Sequence, residues 1–310
     1  MHCYRLHLRQ TSGGTTLWHS DTLWGQLCWI YRDLNGEEAL KRLIQKTREG
    51  NVPFVCSDGF PTGFLPVPTG GISLFSPSAT QTKMQGIMRI ESGKLLKCLR
   101  YISESNFAQV IQGHPLSLEN ITLPPKNTVA IHTHNTIARD NNTALDGNLY
   151  QELWQMTGNG DLDVYVLVRE DFADTLWNCF AVMEVQGFGG NLSIGLGAFE
   201  TIERTPFAFP AVSEPNSFVT LSHCTPSPEM HVNGQYTLRI KYGKLGHERS
   251  QQGDPFKKPV IQVEPGAVFC GPPAATGYCG CLVEGVAFNY PDVVQCGLSI
   301  TVPARIQESS

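Results

Sequence analysis

Polar and apolar residues alternate through Cys3–Gln10, with Tyr4, Leu6 and Leu8 on one side, so a β-strand is expected there. The TSGGTT stretch that follows breaks it. The period then changes. Leu23, Leu27, Ile30, Tyr31 and Leu34 recur at helical spacing, with Ser20 or Asp21 placed to cap the helix and Asn35-Gly36 to end it. Glu37–Glu49 reads as a second helix, strongly charged on one side. Pro53–Gly71 is rich in Pro, Gly and Phe and reads as irregular loop with short strands, and Met84–Ser105 reads as helical. Alternation returns in Asn127–Ile137, and Asp146-Gly147 within Asp140–Glu152 is a hairpin-turn dipeptide. Asp163–Arg169 is a further strand. Asp171–Gln186 is a helix capped by Asp171, with Phe172, Leu176, Cys179, Phe180 and Met183 as its stripe, and Leu196–Arg204 is a strand. This order predicts an α+β chain whose first two hundred residues form a βαββαβ, ferredoxin-like unit with insertions. Pro206–Pro228 is rich in Pro and Ser, which puts a domain boundary near Arg204. The remainder is mostly strand-like.

Composition narrows the classes. At 310 residues, with 41% hydrophobic and 16% charged residues, the chain is long enough for two globular domains and is not of disordered composition. A net charge of −5 argues against a surface coated in positive charge for non-specific nucleic-acid binding, although a local basic groove remains compatible with it. The N-terminal decapeptide lacks the apolar core of a signal peptide, and no apolar run approaches the ~20 residues that span a bilayer. A cytoplasmic protein without membrane contact is expected, with its ten cysteines reduced. Cys28, Cys98 and Cys179 sit among apolar residues and read as core. Cys270, Cys279, Cys281 and Cys296 could supply four thiolates to zinc, but the nearest pair is C-G-C, a poor fit to C-x2–4-C spacing. No cofactor and no resident metal is expected.

The stretch GFGGNLSIGLGAFE, Gly187–Glu200, carries five glycines in its first eleven residues. It is not a phosphate-binding P-loop. It contains no lysine, and it follows a helix and precedes a strand. Gly187 fits a helix C-terminus, which leaves Gly189, Gly190, Gly195 and Gly197. Two readings stand side by side. One is bare backbone offering N–H groups to phosphates or bases, and the other is a tight connection.

These stretches together resemble the RAMP proteins of CRISPR–Cas systems. GFGGNLSIGLGAFE is similar to their glycine-rich signature. HSDTLWGQLCW (His19–Trp29) resembles the start of the first helix in one branch, and HNTIARDNNTALDGNLYQE (His134–Glu152) its segment leading into a hairpin. KKPVIQVEPGAVF and GLSITVPARI match in place and character, so the resemblance runs from Cys3 to Ile306. The branch is the type III effector subunit that binds the 5′ handle of the crRNA.

The resemblance implies two ferredoxin-like, RRM-related domains, at residues 1–204 and 205–310. It also implies a thumb β-hairpin inserted near residues 132–153 and a non-catalytic role. The implied partners are the crRNA 5′ handle, a backbone RAMP subunit, and a large palm-domain subunit that carries DNase and cyclic-oligoadenylate chemistry. The implied RNA contacts are Gly187, Phe188, Gly189, Gly190, Asn191, Ser193, Gly195 and Gly197, with Ser20 and Asp21 at the helix start and His134, Asn135 and Arg139 before the thumb. Asp21, being acidic, suits capping better than phosphate. Asn141, Asn142, Thr143, Leu145, Leu149 and Tyr150 are the implied partner contacts of the thumb. The sequence departs from the pattern twice. Ala138 replaces the family's Asp before Arg139, and Asn191–Ile194 replaces a Lys- or Arg-bearing loop centre, shifting the expected contacts to main-chain N–H, Asn191 and Ser193. Arg169, Arg239, Lys241 and Lys244 are further candidate phosphate contacts, each equally readable as solvated surface charge, as are His247–Arg249 and Lys257-Lys258. Two rival functions remain: a RAMP endoribonuclease using His19, His132 or His134, and a two-domain binding module outside CRISPR systems.

Overall fold

A computed structural model describes residues 1–70, 99–116, 121–228, 230, 233–250 and 254–306. Four strands form the first sheet: β1 (His2–Gln10), β2 (Phe54–Pro61), β7 (Asp161–Val168) and β8 (Phe199–Pro206). Their order is β2-β7-β1-β8, antiparallel throughout. Leu6 and Leu8 of β1 are buried, as the alternation requires, and they pack with Leu162, Val164 and Val166 of β7. Helices α1 (Ser20–Asn35) and α2 (Glu37–Arg48) follow β1, and α4 (Ala173–Gln186) lies between β7 and β8. Of the expected stripes, Leu23, Leu27, Ile30, Leu176, Cys179, Phe180 and Met183 are buried, whereas Tyr31 and Phe172 are half-buried and Leu34 is exposed.

Both expected caps differ. His19 occupies the N-cap position of α1 with no side-chain cap bond, and Asp21 is buried in a polar cluster. Asp171 pairs with Arg169, while the chain enters α4 through a short 3-10 turn, Glu170–Phe172.

The segment expected to be irregular loop with short strands contains β2, longer than expected, and the short β3 (Phe64–Pro66). β2 hides from a period-2 search because both of its faces are buried, and a register shift between Cys56 and Gly59 kinks it. β3 pairs with β4 (Tyr101–Ser103), and α3 (Glu104–Ile111) follows, capped by the Ser103 hydroxyl, which accepts from Asn106 N–H. The helix expected over Met84–Ser105 lies outside the described residues up to residue 98, and its last residues form β4 and the start of α3.

β5 (Thr128–Ile137) and β6 (Ala144–Met156) form a separate two-stranded ribbon. Its turn is not at Asp146-Gly147. The chain reverses at Ala138–Thr143, where Asn142 adopts φ 55° and the Asn141 side chain accepts the Thr143 N–H. Gly147, at φ 76°, sits in a bulge within β6, where the register shifts opposite Asn135–Ile137.

The second half is strand-rich, as expected. β9 (Ser217–Thr220), β10 (Gly234–Gln235), β13 (Val268–Cys270), β14 (Tyr278–Val283) and β15 (Gln295–Ala304) form one antiparallel sheet in the order β10-β13-β9-β15-β14. β11 (Leu238–Lys241) pairs with β12 (Val260–Val263) beside it. Among the described residues this half has no α-helix. The two halves share a core: Val219, Leu298, Ile300 and Val302 belong to the same buried cluster as Leu6, Leu27 and Val166. Arg204 pairs with Leu6 inside β8, so that strand runs past the expected boundary.

Candidate nucleic-acid interface

The glycine-rich connection leaves α4 through Gly187, at φ 88°. Most of its backbone groups are satisfied within the protein. Gln26 donates to Gly187 O (2.6 Å) and accepts from Gly189 N–H (3.0 Å). Gly190 N–H donates to the Thr16 hydroxyl (3.1 Å), Phe188 N–H to Gly197 O (2.8 Å), and Gly197 N–H to Gly13 O (2.9 Å). Phe188, expected among the RNA contacts, is buried and stacks on Trp18 with ring centres 4.0 Å apart. What the loop shows to solvent is its middle: Asn191, Ser193, Ile194 and Gly195 are exposed.

The glycines divide accordingly. A Cβ on Gly197, at φ 73°, would lie 2.1 Å from Phe188 O, and one on Gly189, at φ 94°, 2.6 Å from Thr16 Cβ. Gly190 has no left-handed φ, and its Cβ would meet the Thr15 hydroxyl at 3.2 Å. Gly195, at φ 83°, faces open space. Gly197→Ala is therefore expected to lose well over the ~1–2 kcal/mol that a left-handed residue costs. Gly190→Ala should stay within about 0.5 kcal/mol of the parent, since a shorter unfolded-state search offsets the contact. Urea unfolding of both variants measures the difference, and equal midpoints would refute this account.

The β5–β6 ribbon has two distinct faces because its cross-strand pairs alternate. One face carries Ala130 opposite Trp154, His132 opposite Glu152 and His134 opposite Tyr150. Rings stack along it: His132 on Trp154 at 3.5 Å and His134 on Tyr150 at 5.3 Å. Glu152 ties this face to the glycine loop. It accepts from Asn191 Nδ2 (2.5 Å) and from Trp154 Nε1 (2.9 Å). The opposite face carries Val129, Ile131, Leu149 and Leu153, all exposed, with Ile131 64% and Leu149 70% accessible. Asn135 pairs with Leu149 on that face, and Arg139 stands exposed at the turn with Asn141, Asn142 and Thr143, while Leu145 is exposed in β6. Thus Glu152 brings Asn191 and His134 together, and Asn135 lies on the opposite face.

Ser20 and Asp21 do not lie open to a ligand. Ser20 N–H donates to Asp58 Oδ1 (2.9 Å), and both residues are buried. Asp21 accepts from Lys241 Nζ (2.5 Å) and from Gln295 Nε2 (2.6 Å). Lys257, which donates to Gln295 Oε1 at 2.9 Å, lies close enough for Asp21 to act on its charge, and burial lowers its pKa to about 8.

A second polar group was not legible in sequence. Asp58 Oδ2 meets His223 Nδ1 at 2.6 Å, and Arg239 Nη1 lies 3.3 Å from His19 Nε2 and 3.2 Å from His223 Nε2. Burial works to lower the His223 pKa, but the charge and hydrogen bond of Asp58 override it and raise it. Burial likewise works against the Asp58 charge, and His223, His19 and the Ser20 N–H hold its pKa below the usual value. Burial lowers the His19 pKa to about 4. Ligand atoms of His19, Asp58 and His223 lie within 4.8 Å of one another, the metal-like spacing found among the described residues. The Arg239 guanidinium sits against both imidazoles.

The remaining candidates are mostly engaged. Arg169 pairs with Asp171, Lys244 lies over Phe256 and Lys258 over Phe288. Arg249 bonds Asp292. Cys270, Cys279, Cys281 and Cys296 do not converge. Cys279 approaches Cys224 at 3.8 Å, and Cys281 faces the Thr225 and Pro226 carbonyls.

No protein-family model and no curated protein matches the sequence. Solved structures do. A chain of the Csm1–Csm4 cassette in complex with AMPPNP superposes with a TM-score of 0.62, at 16% identity, over 100% of both chains. A chain of the Csm3–Csm4 subcomplex of a type III-A CRISPR–Cas interference complex gives 0.62 at 14% identity, over 98% of this chain and 100% of that one. Csm4 is the component common to both. The chain has the fold of Csm4. The cassette bound to cA4 gives 0.60 at 15% identity, over 99% and 100% of the two chains. The Csm4 fold thus spans the glycine connection, the exposed ribbon and both sheets. Among the described residues no helix is long and apolar enough to cross a membrane.

Proposed function

We propose that this chain is a non-catalytic, crRNA-binding RAMP subunit of a type III CRISPR effector complex. The observation that carries the reading is the end-to-end correspondence with Csm4, crystallised in complexes with Csm1 and with Csm3. By that correspondence the partners are a large palm-domain subunit and a backbone RAMP subunit, and the strand order β2-β7-β1-β8 with α1 and α4 is a ferredoxin-like, RRM-related unit. The ribbon is the thumb. Single-stranded RNA is held by stacking and polar edges more than by dense charge. The stacked His132, His134, Tyr150 and Trp154 beside Asn191 and Ser193 supply such a surface, and it suits the 5′ handle. The glycines contribute by keeping the loop thin and rigid, since their N–H groups are largely bonded internally.

The test is co-expression with a large subunit, a backbone subunit and a repeat–spacer array. The chain should co-purify with crRNA, and ultraviolet crosslinks from the handle should map to the loop rim and the aromatic face of the thumb. Isolated protein should leave repeat RNA intact. Assembly without handle crosslinks to this chain would sink the RNA-binding reading, and cleavage lost in His134→Ala would replace it with an endoribonuclease.

A further inference from the structure

Between the two halves lies a cavity of about 710 Å³ bounded by His19, Asp58, His223 and Arg239 on one side and Arg100 and Tyr101 on another. Its lining carries two carboxylates and two guanidinium groups. The Asp58 carboxylate is already taken up by His223 and by the N–H groups of Ser20 and His223. Glu264 is the other carboxylate lining it. Against these stand two guanidinium groups, Arg239 and Arg100. A guanidinium has five N–H donors in a fixed fork. Only Nη1 of Arg239 is engaged, by the two imidazoles, and among the described residues its Nη2 and Nε have no protein partner. The Arg100 side chain has none among them either. Orienting one edge of a guanidinium with two rings while leaving the other unpaired is an arrangement that suits a bidentate oxyanion.

Asn127 and Thr157, at the base of the thumb ribbon, line the same cavity, as does Trp18, on which the glycine loop packs through Phe188. A strand lying along the aromatic face of the thumb therefore has a polar opening at the foot of that face. We infer that this cavity binds a backbone phosphate of the RNA that the thumb holds, with Arg239 as its bidentate ligand and Arg100 as a second cation. The inference rests on the RNA-binding reading above. It adds a site that the glycine loop does not contain.

The test uses the full chain and two probes. Binding of a single-stranded RNA carrying the repeat-derived handle is measured at several salt concentrations, and inorganic phosphate is titrated against the protein by phosphorus NMR. Arg239→Gln should weaken RNA binding about tenfold, and the log–log salt slope should fall by about 0.7, one phosphate contact on a single strand. It should also abolish phosphate binding. Arg100→Gln, at an exposed position with no partner to lose, should weaken RNA binding by a smaller factor and keeps the test valid where Arg239→Gln lowers the melting temperature. Parent-like affinity and salt slope in both variants would overturn the cavity site and leave the RNA-binding reading standing. A parent that binds no RNA would sink that reading. If phosphate then still bound in an Arg239-dependent manner, the ligand would be a free phosphate compound, and the RNA assignment would be wrong.

Discussion

Asp58→Ala should unfold this protein more readily than any surface change, at a cost of about 3–5 kcal/mol, the range for removing one partner of a buried ion pair. The carboxylate accepts from Ser20 N–H, His223 N–H and His223 Nδ1, at 2.9, 3.2 and 2.6 Å. Removing it leaves the buried His223 Nδ1 and the first N–H of α1 without partners. Because these bonds join β2 and α1 to the segment after β9, the loss falls on the seam between the halves. The pH dependence follows from the shifts. The lowered pKa of Asp58 contributes stability that is complete above the ordinary carboxylate range and is lost progressively as pH falls from that range to its lowered folded value. His19, held neutral by burial, adds stability above its ordinary 6.5 that is lost on acidification toward about 4. His223, its pKa raised, works the other way: its contribution is present below 6.5 and fades at higher pH. The parent should therefore lose stability steeply below about pH 5, and the variant, already lacking the carboxylate, should show a shallower acid limb in urea midpoints taken across pH. A variant with parental stability at pH 7 would refute the role assigned to the pair.

The second large effect is on assembly. Ile131→Asp combined with Leu149→Asp should leave the melting temperature nearly unchanged, because both residues are exposed and changes at such positions stay within about 0.5 kcal/mol. The same variant should fail to co-purify with the backbone subunit. Val129, Ile131, Leu149 and Leu153 make a row of accessible aliphatic side chains on a ribbon that pairs with no other sheet, and a charge at its centre would be desolvated on docking. Binding to the crRNA handle should persist, since the stacked rings lie on the other face. Full recovery of the complex would show that the row is not the contact.

Several of the elements that sequence revealed have one wet face, although β7, also expected, is buried on both. β1, α1 and α4 alternate or repeat because solvent lies on one side, and the period survives in the residues. β2 was legible only as short strands in an irregular stretch, because both of its faces are buried and a register shift at Cys56–Gly59 interrupts it. The Asp146-Gly147 dipeptide misled because a glycine at φ 76° serves a bulge as well as a turn, while Asn141-Asn142, also suited to left-handed backbone, made the reversal. The glycine loop showed the need for special backbone, but not that Gln26, Thr16 and Gly13 would be the groups approaching it. The Asp58–His223 pair at the centre of the Asp58, His223 and Arg239 group joins residues 165 positions apart. Its one local signal was a carboxylate inside the apolar run Phe54–Pro61, where an unpaired charge could not stay.

The shared core makes the molecule a single mechanical unit. Val219 and Val302 bury themselves with Leu6 and Val166, so neither sheet can open without exposing the interior of the other. A ligand gripped at the thumb therefore slows exchange of backbone amides in β15 as well as in β1, because both report the same opening event. Cutting the chain after β8 yields two pieces with bared apolar surface, not two working halves, so roles within this protein are separable by side-chain substitution and not by truncation.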